Sequence, residues 1–536
     1  MIGAIVMASE GYKYFLNRSD SASGFSDSIN GNIFVDKSML LNFTNGRIST
    51  KEKWICVSRP RRFGKTMNLE MLAAYYTKNI NSDYLFKGLK IKNTLNYYKH
   101  LNNHNTIQIN FSDYFEKCSS AQEGINLLSR HLIQDLYTEF PAAFSDSQVV
   151  DNLPLALDIV QQFCGEKFIF LIDEWDCIFR FKKTEPHEHE VFLGFLKQLF
   201  KDKTYVELVY MTGILPIKKY NTGSALNMFR EYSMLGPKRL GEFFGFTEAE
   251  MSLLCEKHPG ISFDELRQWY DGYNMDEFGH IYNPRSVVEA LEEGTCRDYW
   301  NQTGGYSELE EYITMNFDGL GETITYLLGG ESTPINVVGF SNDLDSFHDK
   351  DEVMTALIHL GYLTLEGGNV KIPNREIREE FGNTVKKLQW GVVSKLLLQS
   401  RQLLRDTLQL NAKNVEKALE EVHDGMQEFK EYNNEHTLKC VIHLAYYAAL
   451  DDYELRFEQT AGRGYADCLM IPRSHSRAGI VLELKYDSSA EKALEQIHEK
   501  KYIKGFPDYV HSAILMGINY NKNTKRHECA MEKVEF

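Results

Sequence analysis

The stretch Trp54-Ile55-Cys56-Val57-Ser58-Arg59-Pro60-Arg61-Arg62-Phe63-Gly64-Lys65-Thr66 decides how the chain is read. A short apolar run, a basic turn punctuated by Pro60, and Gly-Lys-Thr opening a helix with Met67, Leu72 and Tyr75 spell strand, turn and amphipathic helix. A phosphate-binding loop is built this way, except that the pattern asks for Gly where Arg59 stands. The residues that carry the chemistry are intact. Gly64 lets the backbone approach phosphates, Lys65 reaches their outer oxygens, and Thr66 offers a hydroxyl to Mg²⁺, with N–H groups at the helix start completing an anion site. A basic surface turn before an ordinary helix is the competing reading.

The flanking chain favours the phosphate loop. Upstream, Ile33 to Lys37 reads as a short strand running into a helix that begins near Ser38. Downstream, Ile107-Gln108-Ile109-Asn110-Phe111 alternates as a strand, and Ile125, Leu128, Leu132 and Leu136 mark one face of a helix. Phe168-Ile169-Phe170-Leu171-Ile172 is apolar on both faces, as a central parallel strand is, and ends in Asp173 and Glu174. Ligands sit at the carboxyl ends of such strands, where Asp173 is placed to meet Mg²⁺ and Glu174 to polarise an attacking water. A further strand, Tyr205 to Met211, ends at Thr212, either a sensor of the γ-phosphate or a plain strand-end hydroxyl.

The totals bound the rest. A chain of 536 residues is too long for one core and suggests roughly three or four domains. Its net charge of -16 excludes a protein that coats nucleic acid nonspecifically, so a nucleic-acid site must be a local basic patch. Nine cysteines without a Cys-x-x-Cys pair, and a Met1 to Glu10 segment lacking a secretory pattern, predict a reduced, cytoplasmic setting. No apolar run approaches about 18 residues, so no membrane span is expected.

The segments Phe34-Val35-Asp36-Lys37-Ser38, Ser58 to Thr66, Leu171-Ile172-Asp173-Glu174-Trp175-Asp176 and Thr212-Gly213-Ile214-Leu215 resemble the bacterial AAA-ATPase-like family. Trp269-Tyr270-Asp271-Gly272-Tyr273 and Tyr282-Asn283-Pro284-Arg285-Ser286 extend the resemblance to about residue 300. It implies a P-loop ATPase core with a helical extension, and makes Arg59 a family trait. Arg62, Phe63, Gly64, Lys65, Thr66, Asp173 and Thr212 are then the expected ATP contacts, with Thr66 and Asp173 on Mg²⁺. Whether Arg59, Arg61 and Arg62 touch DNA, a neighbouring subunit or the nucleotide is left open.

Pro186-His187-Glu188-His189-Glu190 offers metal-type side chains, but not at His-Glu-x-x-His spacing, and reads as a loop or helix start. Between about 300 and 430 the chain is mostly helical without evident chemistry. A helix from Val353 to Leu360 followed by a hairpin through Gly367-Gly368-Asn369 is compatible with a winged-helix-like module, a structural spacer being the plainer reading. Asp406 to Tyr432 reads as an exposed connecting helix.

Near the C-terminus, Tyr465 to Ile471 and Ile480 to Tyr486 read as a hairpin. Alternation puts Glu483 and Lys485 on one face, with Leu482 and Leu484 on the other, and Asp467 on the partner strand can share a divalent metal with Glu483. Ser488-Ser489-Ala490-Glu491 reads as a capping box opening a helix that carries Gln496. Residues from about 430 to 520 resemble the PD-(D/E)xK nuclease superfamily, on Asp467, Glu483-Leu484-Lys485, Gln496-Ile497 and Lys501-Tyr502, although Ala466 replaces the literal Pro. The resemblance implies Asp467 and Glu483 on Mg²⁺ or Mn²⁺, Lys485 orienting water or steadying the phosphate, and Gln496 supporting from the helix. For a further metal-binding acid it favours Glu435 over Glu458. Lys500, Lys501 and Lys504 are a candidate phosphate patch or only an exposed helix face.

The expected architecture is multidomain α/β: a P-loop parallel-sheet ATPase core over 1–240, its helical extension over 241–300, a helical, winged-helix-like middle over 301–430, and a mixed α/β PD-(D/E)xK domain over 431–536. The expected function is ATP hydrolysis with metal-dependent cleavage of nucleic acid, most readily DNA, under nucleotide control. The alternative is a nucleotide-dependent switch or scaffold that binds without cutting. Defence against foreign DNA, mobile-element upkeep and homo-oligomer formation are compatible with either, and no residue chooses among them.

Overall fold

The computed structural model describes residues 13–144, 150–180, 185–217, 226–300, 306–315, 317–340, 344, 347–388, 391–425, 442, 444–461, 464–524 and 526–536. Contacts divide the chain into two units, Met1–Tyr299 with Pro334–Glu376, and Trp300–Thr333 with Ile377–Phe536.

In the first unit, strands Trp54–Ser58 (β1), Asn105–Asn110 (β2), Phe168–Asp173 (β3), Val206–Gly213 (β4) and Arg230–Tyr232 (β5) form one sheet in the order β2-β3-β4-β1-β5. Every pairing is parallel. The double-sided apolar run of β3 has its physical cause in this placement: Phe168, Phe170 and Ile172 join one core, Ile169 and Leu171 the other. Helices Ala121–Glu139, Leu153–Cys164 and Pro186–Phe200 cover the first face through Leu128, Leu132, Leu157 and Leu196. Helix Lys65–Tyr76 (α1) covers the other through Leu69 and Leu72. Each such large apolar side chain contributes about 1.5–3 kcal/mol on burial.

The structure differs from the sequence expectation for two elements here. Residues 34–37 form no strand; the chain is extended into Ser38, and the helix is Met39–Asn45. Lys37 instead donates to the Glu242 carbonyl and the Glu250 carboxylate, interactions of a tethered loop. Nor is α1 amphipathic: Asn68, Met71, Ala73, Ala74, Tyr75 and Tyr76 are buried beside Leu69 and Leu72, because this helix is covered on nearly every side.

The expected helix and hairpin of the middle segment are present as Lys350–Leu360, Thr364–Glu366 and Asn369–Lys371. They belong with the first unit, whose contacts break between Tyr299 and Trp300 and resume at Pro334. Tyr273 Oη donates to the Gly361 carbonyl at 3.0 Å and Asn274 Nδ2 to Leu365 O at 2.9 Å. Glu376 accepts from Ser286 Oγ and Tyr299 N, both at 2.9 Å.

The second unit is built on a five-stranded mixed sheet in chain order: Tyr453–Ala461 (β6), Gly464–Pro472 (β7), Gly479–Tyr486 (β8), Ser512–Asn521 (β9) and Arg526–Glu535 (β10). Only β8 and β9 pair in parallel, and helix Ala490–Lys500 (α2) makes their crossover. The expected connecting helix is not one. Helix Gly391–Leu408 stops before Leu410, whose φ is +58°, and Ala412–Gly425 begins afresh. That second helix buries Val415 and Leu419, and Glu416 accepts from Cys529 N on β10, so it packs on the sheet. Residues 426–432 lie outside the described residues. The cap of α2 is Ser489, which accepts from Lys492 N; with lysine at that position the expected box with Glu491 does not form.

Candidate active sites

β1 delivers the chain into the loop, and α1 starts from Gly64, whose φ of +82° supplies the left-handed turn that other residues rarely adopt. Lys65 is buried, and its Nζ donates to the carbonyls of Arg59 (3.0 Å) and Pro60 (2.9 Å). Burial lowers its pKa to about 8, against the opposing pull of Asp173. The ammonium is thus held inside the loop, where a phosphate would find it. Thr66 Oγ1 donates to Asp173 Oδ2 at 2.8 Å, so the hydroxyl and carboxylate expected on Mg²⁺ meet although 107 positions apart.

The other loop residues divide. Arg59 is fully buried, donating through Nη1 to Ser58 O and to Tyr232 O on β5, each at 2.8 Å. Its guanidinium ties the end of β1 to the sheet edge. Burial depresses its pKa to about 10. Arg62, at φ +70°, donates to Tyr299 O at 2.8 Å. Phe63 is buried edge-on to Tyr273, with centroids 4.9 Å apart, which anchors the loop. Arg61 is exposed.

At the end of β3, Asp173 also accepts from Thr212 Oγ1 at 2.5 Å and from Glu174 N at 3.0 Å. The Thr212 hydroxyl thus braces Asp173. Glu174 lies at φ +50°, and its carboxylate meets Arg180 Nη2 at 3.1 Å. Arg180 also pairs with buried Asp176 at 3.4 Å, and Asp176 accepts from Ile214 N (3.0 Å) and Leu215 N (2.8 Å). His189 is buried in helix Pro186–Phe200, the helix start expected there, and no group of three metal-type side chains converges among the described residues.

In the second unit, β7 and β8 pair Cys468 with Leu482 and bring the predicted side chains together. Leu484 N donates to Asp467 Oδ2 at 2.7 Å. Lys485 Nζ donates to Glu483 Oε1 (3.0 Å) and to Gln496 Oε1 (2.6 Å), while Gln496 Nε2 donates to Glu483 Oε1 and, at 3.0 Å, to Tyr502 Oη. Glu483 is only 3% exposed, and among the described residues no donor meets its Oε2. Burial, and then the Asp467 charge, push its pKa up to about 7. A buried carboxylate oxygen with no donor, beside a second acid, is what a divalent cation would satisfy, so the donor set fits one. Glu435 lies outside the described residues, as does the side chain of Glu458. Lys500, Lys501 and Lys504 are exposed.

Comparison with known proteins agrees with the two domain families expected from the sequence. Residues 23–222 match the family model described as a predicted AAA-ATPase, and residues 433–529 match the PD-(D/E)XK nuclease superfamily. The chain joins an AAA-ATPase-like domain to a PD-(D/E)XK nuclease superfamily domain. An uncharacterized protein from the vnfD 5′ region of Azotobacter chroococcum mcd 1 is 27% identical over 267 residues, covering 48% of this chain and 49% of that protein. The match thus spans about half the length of that relative. Among solved structures, the chain is similar to the Walker-type ATPase of Pyrococcus abyssi, at 12% identity and a TM-score of 0.32, covering 64% of this chain and 94% of that one. It is also similar to the ORC2 protein of Aeropyrum pernix, at 12% identity and a TM-score of 0.27, covering 71% and 97%. No helix among the described residues is long and apolar enough to cross a membrane.

Sequence reasoning missed two groups in these domains. Arg180 in the AAA-ATPase-like domain carries no motif; only its position four residues after Asp176 hinted at a pair. Tyr502 in the nuclease superfamily domain lies in the Lys501-Tyr502 pair of the resemblance, but its hydrogen bond to Gln496 depends on the turn after α2.

Proposed function

We propose that the chain binds and hydrolyses ATP at Lys65, Thr66, Asp173 and Glu174, and cleaves DNA at Asp467, Glu483 and Lys485 under the control of nucleotide state. The observation that carries the reading is the convergence of Asp467, Glu483, Lys485 and Gln496 beside a buried carboxylate oxygen that accepts no hydrogen bond from the described residues.

At the first site, Lys65 meets phosphate oxygens as a buried cation, Gly64 leaves the backbone N–H groups accessible, and Glu174 orients the attacking water. Thr66 and Asp173 would hold the Mg²⁺ of the nucleotide, which neutralises charge on the phosphates when bound. At the second, Asp467 and Glu483 would hold Mg²⁺ or Mn²⁺, which acidifies a bound water and offsets phosphate charge. Lys485 then stabilises negative charge that grows on the phosphodiester, and Gln496 keeps Lys485 and Glu483 in register.

The test is purified protein with Mg²⁺ or Mn²⁺, with and without ATP, offered linear, circular and single-stranded DNA and RNA. Metal-dependent cleavage of DNA that changes with ATP is expected. ATP turnover without cleavage of any substrate would replace this reading with that of a nucleotide-dependent scaffold.

A further inference from the structure

The edge of the AAA-ATPase-like sheet carries a cavity of about 470 Å³ lined by Arg47, Glu52, Arg230, Tyr232, Lys238 and Arg239. Three separate stretches of chain build it. Arg47 follows helix Met39–Asn45, Arg230 lies on the edge strand β5 opposite Ile55, and Lys238 and Arg239 open the 3₁₀ turn Lys238–Phe243. Four cations therefore face one carboxylate. Glu52 is shared between Arg47 at 3.8 Å and Arg230 at 3.4 Å, and no carboxylate among the described residues pairs with Lys238 or Arg239.

The arrangement is held from within. The Arg47 guanidinium stacks on Phe43, 3.4 Å from the ring centroid, and donates through Nη1 to the Phe43 carbonyl, while its buried Nε meets no acceptor among the described residues. Lys238 sits at φ +49°, with Nζ over the Tyr232 ring and donating to Glu231 O at 3.2 Å. Arg230, Lys238 and Arg239 keep exposed tips.

We infer that this cavity is a second anion site, distinct from the phosphate loop, and that its ligand is the phosphodiester backbone of nucleic acid. In a chain of net charge -16, a cavity with four cations and one acid is a local reversal of sign, and only an anion gains by entering it. The lining offers guanidinium and ammonium donors, the groups that meet phosphate oxygens whatever the sequence. Choosing nucleic acid over an acidic peptide rests on the nuclease reading, because a cutting domain needs its substrate held. Tyr232 also accepts from Arg59 at the start of the phosphate loop, so one residue borders both anion sites.

The experiment measures binding with cleavage disabled. The full chain carrying Asp467→Ala, in EDTA, is titrated into a labelled 20-base-pair duplex over a range of salt, with and without the further pair Arg230→Glu and Arg239→Glu. The pair is expected to weaken binding about tenfold or more and to lower the slope of log affinity against log salt by about 2. Unchanged basal ATP turnover shows that the fold survives the pair. Equal affinity and slope with and without the pair would overturn the proposal, as would polyglutamate displacing the duplex as well as unlabelled DNA does. Because cleavage is not the readout, loss of binding in the pair supports the cavity even if the nuclease reading fails.

Discussion

Arg180 holds Glu174: its Nη2 stands 3.1 Å from Oε2, while its Nε lies 3.4 Å from the carboxylate of Asp176. Glu174 is the residue proposed to orient water, and its backbone is in the left-handed region, where a side chain with a Cβ is costly. The ion pair supplies a reason for that carboxylate to keep one direction. Replacing Arg180 by Ala should lower turnover by misplacing Glu174. It should also cost about 3 kcal/mol, because Asp176 is fully buried and loses its counter-charge, though it keeps two backbone donors. Urea unfolding and ATP turnover on one preparation check both parts.

Lys65→Ala and Glu174→Gln should separate binding from chemistry. The first removes the buried ammonium and should abolish ATP binding; the second keeps the loop and should bind normally while turnover falls by about 10²-fold or more. Nucleotide titration beside a phosphate-release assay decides, and wild-type turnover in Glu174→Gln would remove that residue from the mechanism.

In the second unit, Asp467→Ala, Glu483→Ala and Lys485→Ala should each abolish cleavage and leave ATP turnover intact, since the two sites belong to separate cores. EDTA should do the same to the wild type. Cleavage surviving the chelator or all three substitutions would count against the nuclease reading.

Gly517 pairs with Glu483 across β8 and β9, and a Cβ there would lie 2.3 Å from the carbonyl of Ala490, the first residue of α2. That is backbone, which cannot turn aside. Gly517→Ala should push α2 off the sheet, part Gln496 from Glu483 and Lys485, and reduce cleavage at least tenfold. ATP turnover in the other unit should not change. Cleavage equal to wild type would show that Gln496 needs no close helix.

His280 offers a pH test of the first unit. Its Nδ1 is 3.6 Å from Asp271 and its Nε2 3.7 Å from Glu366, and the contact with Asp271 raises its pKa more than burial lowers it. A raised pKa means that the protonated imidazole favours the folded state. The contribution is complete below the unfolded value of about 6.5 and lost as pH rises through the higher folded value. Thermal midpoints measured from pH 5.5 to 8.5 should fall more in wild type than in His280→Gln across that window, and parallel curves would refute the assignment.

Local pattern and spacing determined much of this protein. A phosphate loop reads in sequence because Gly64, Lys65 and Thr66 act through a single turn, and β3 reads as central because burial on two faces demands five apolar residues in succession. Asp467, Glu483 and Lys485 read as one face because a strand alternates and a hairpin fixes register. What no local pattern encodes was decided by the tertiary structure. Arg59 and Arg61 are neighbours of one charge in sequence, yet one is buried against Tyr232 and the other exposed, since only the sheet edge supplies carbonyl acceptors for a buried guanidinium. Thr212 meets Asp173 because β4 lies beside β3. The cations of the edge cavity come from positions 47, 230, 238 and 239, which carry no common motif; the packing of strand, helix end and turn puts them around one space.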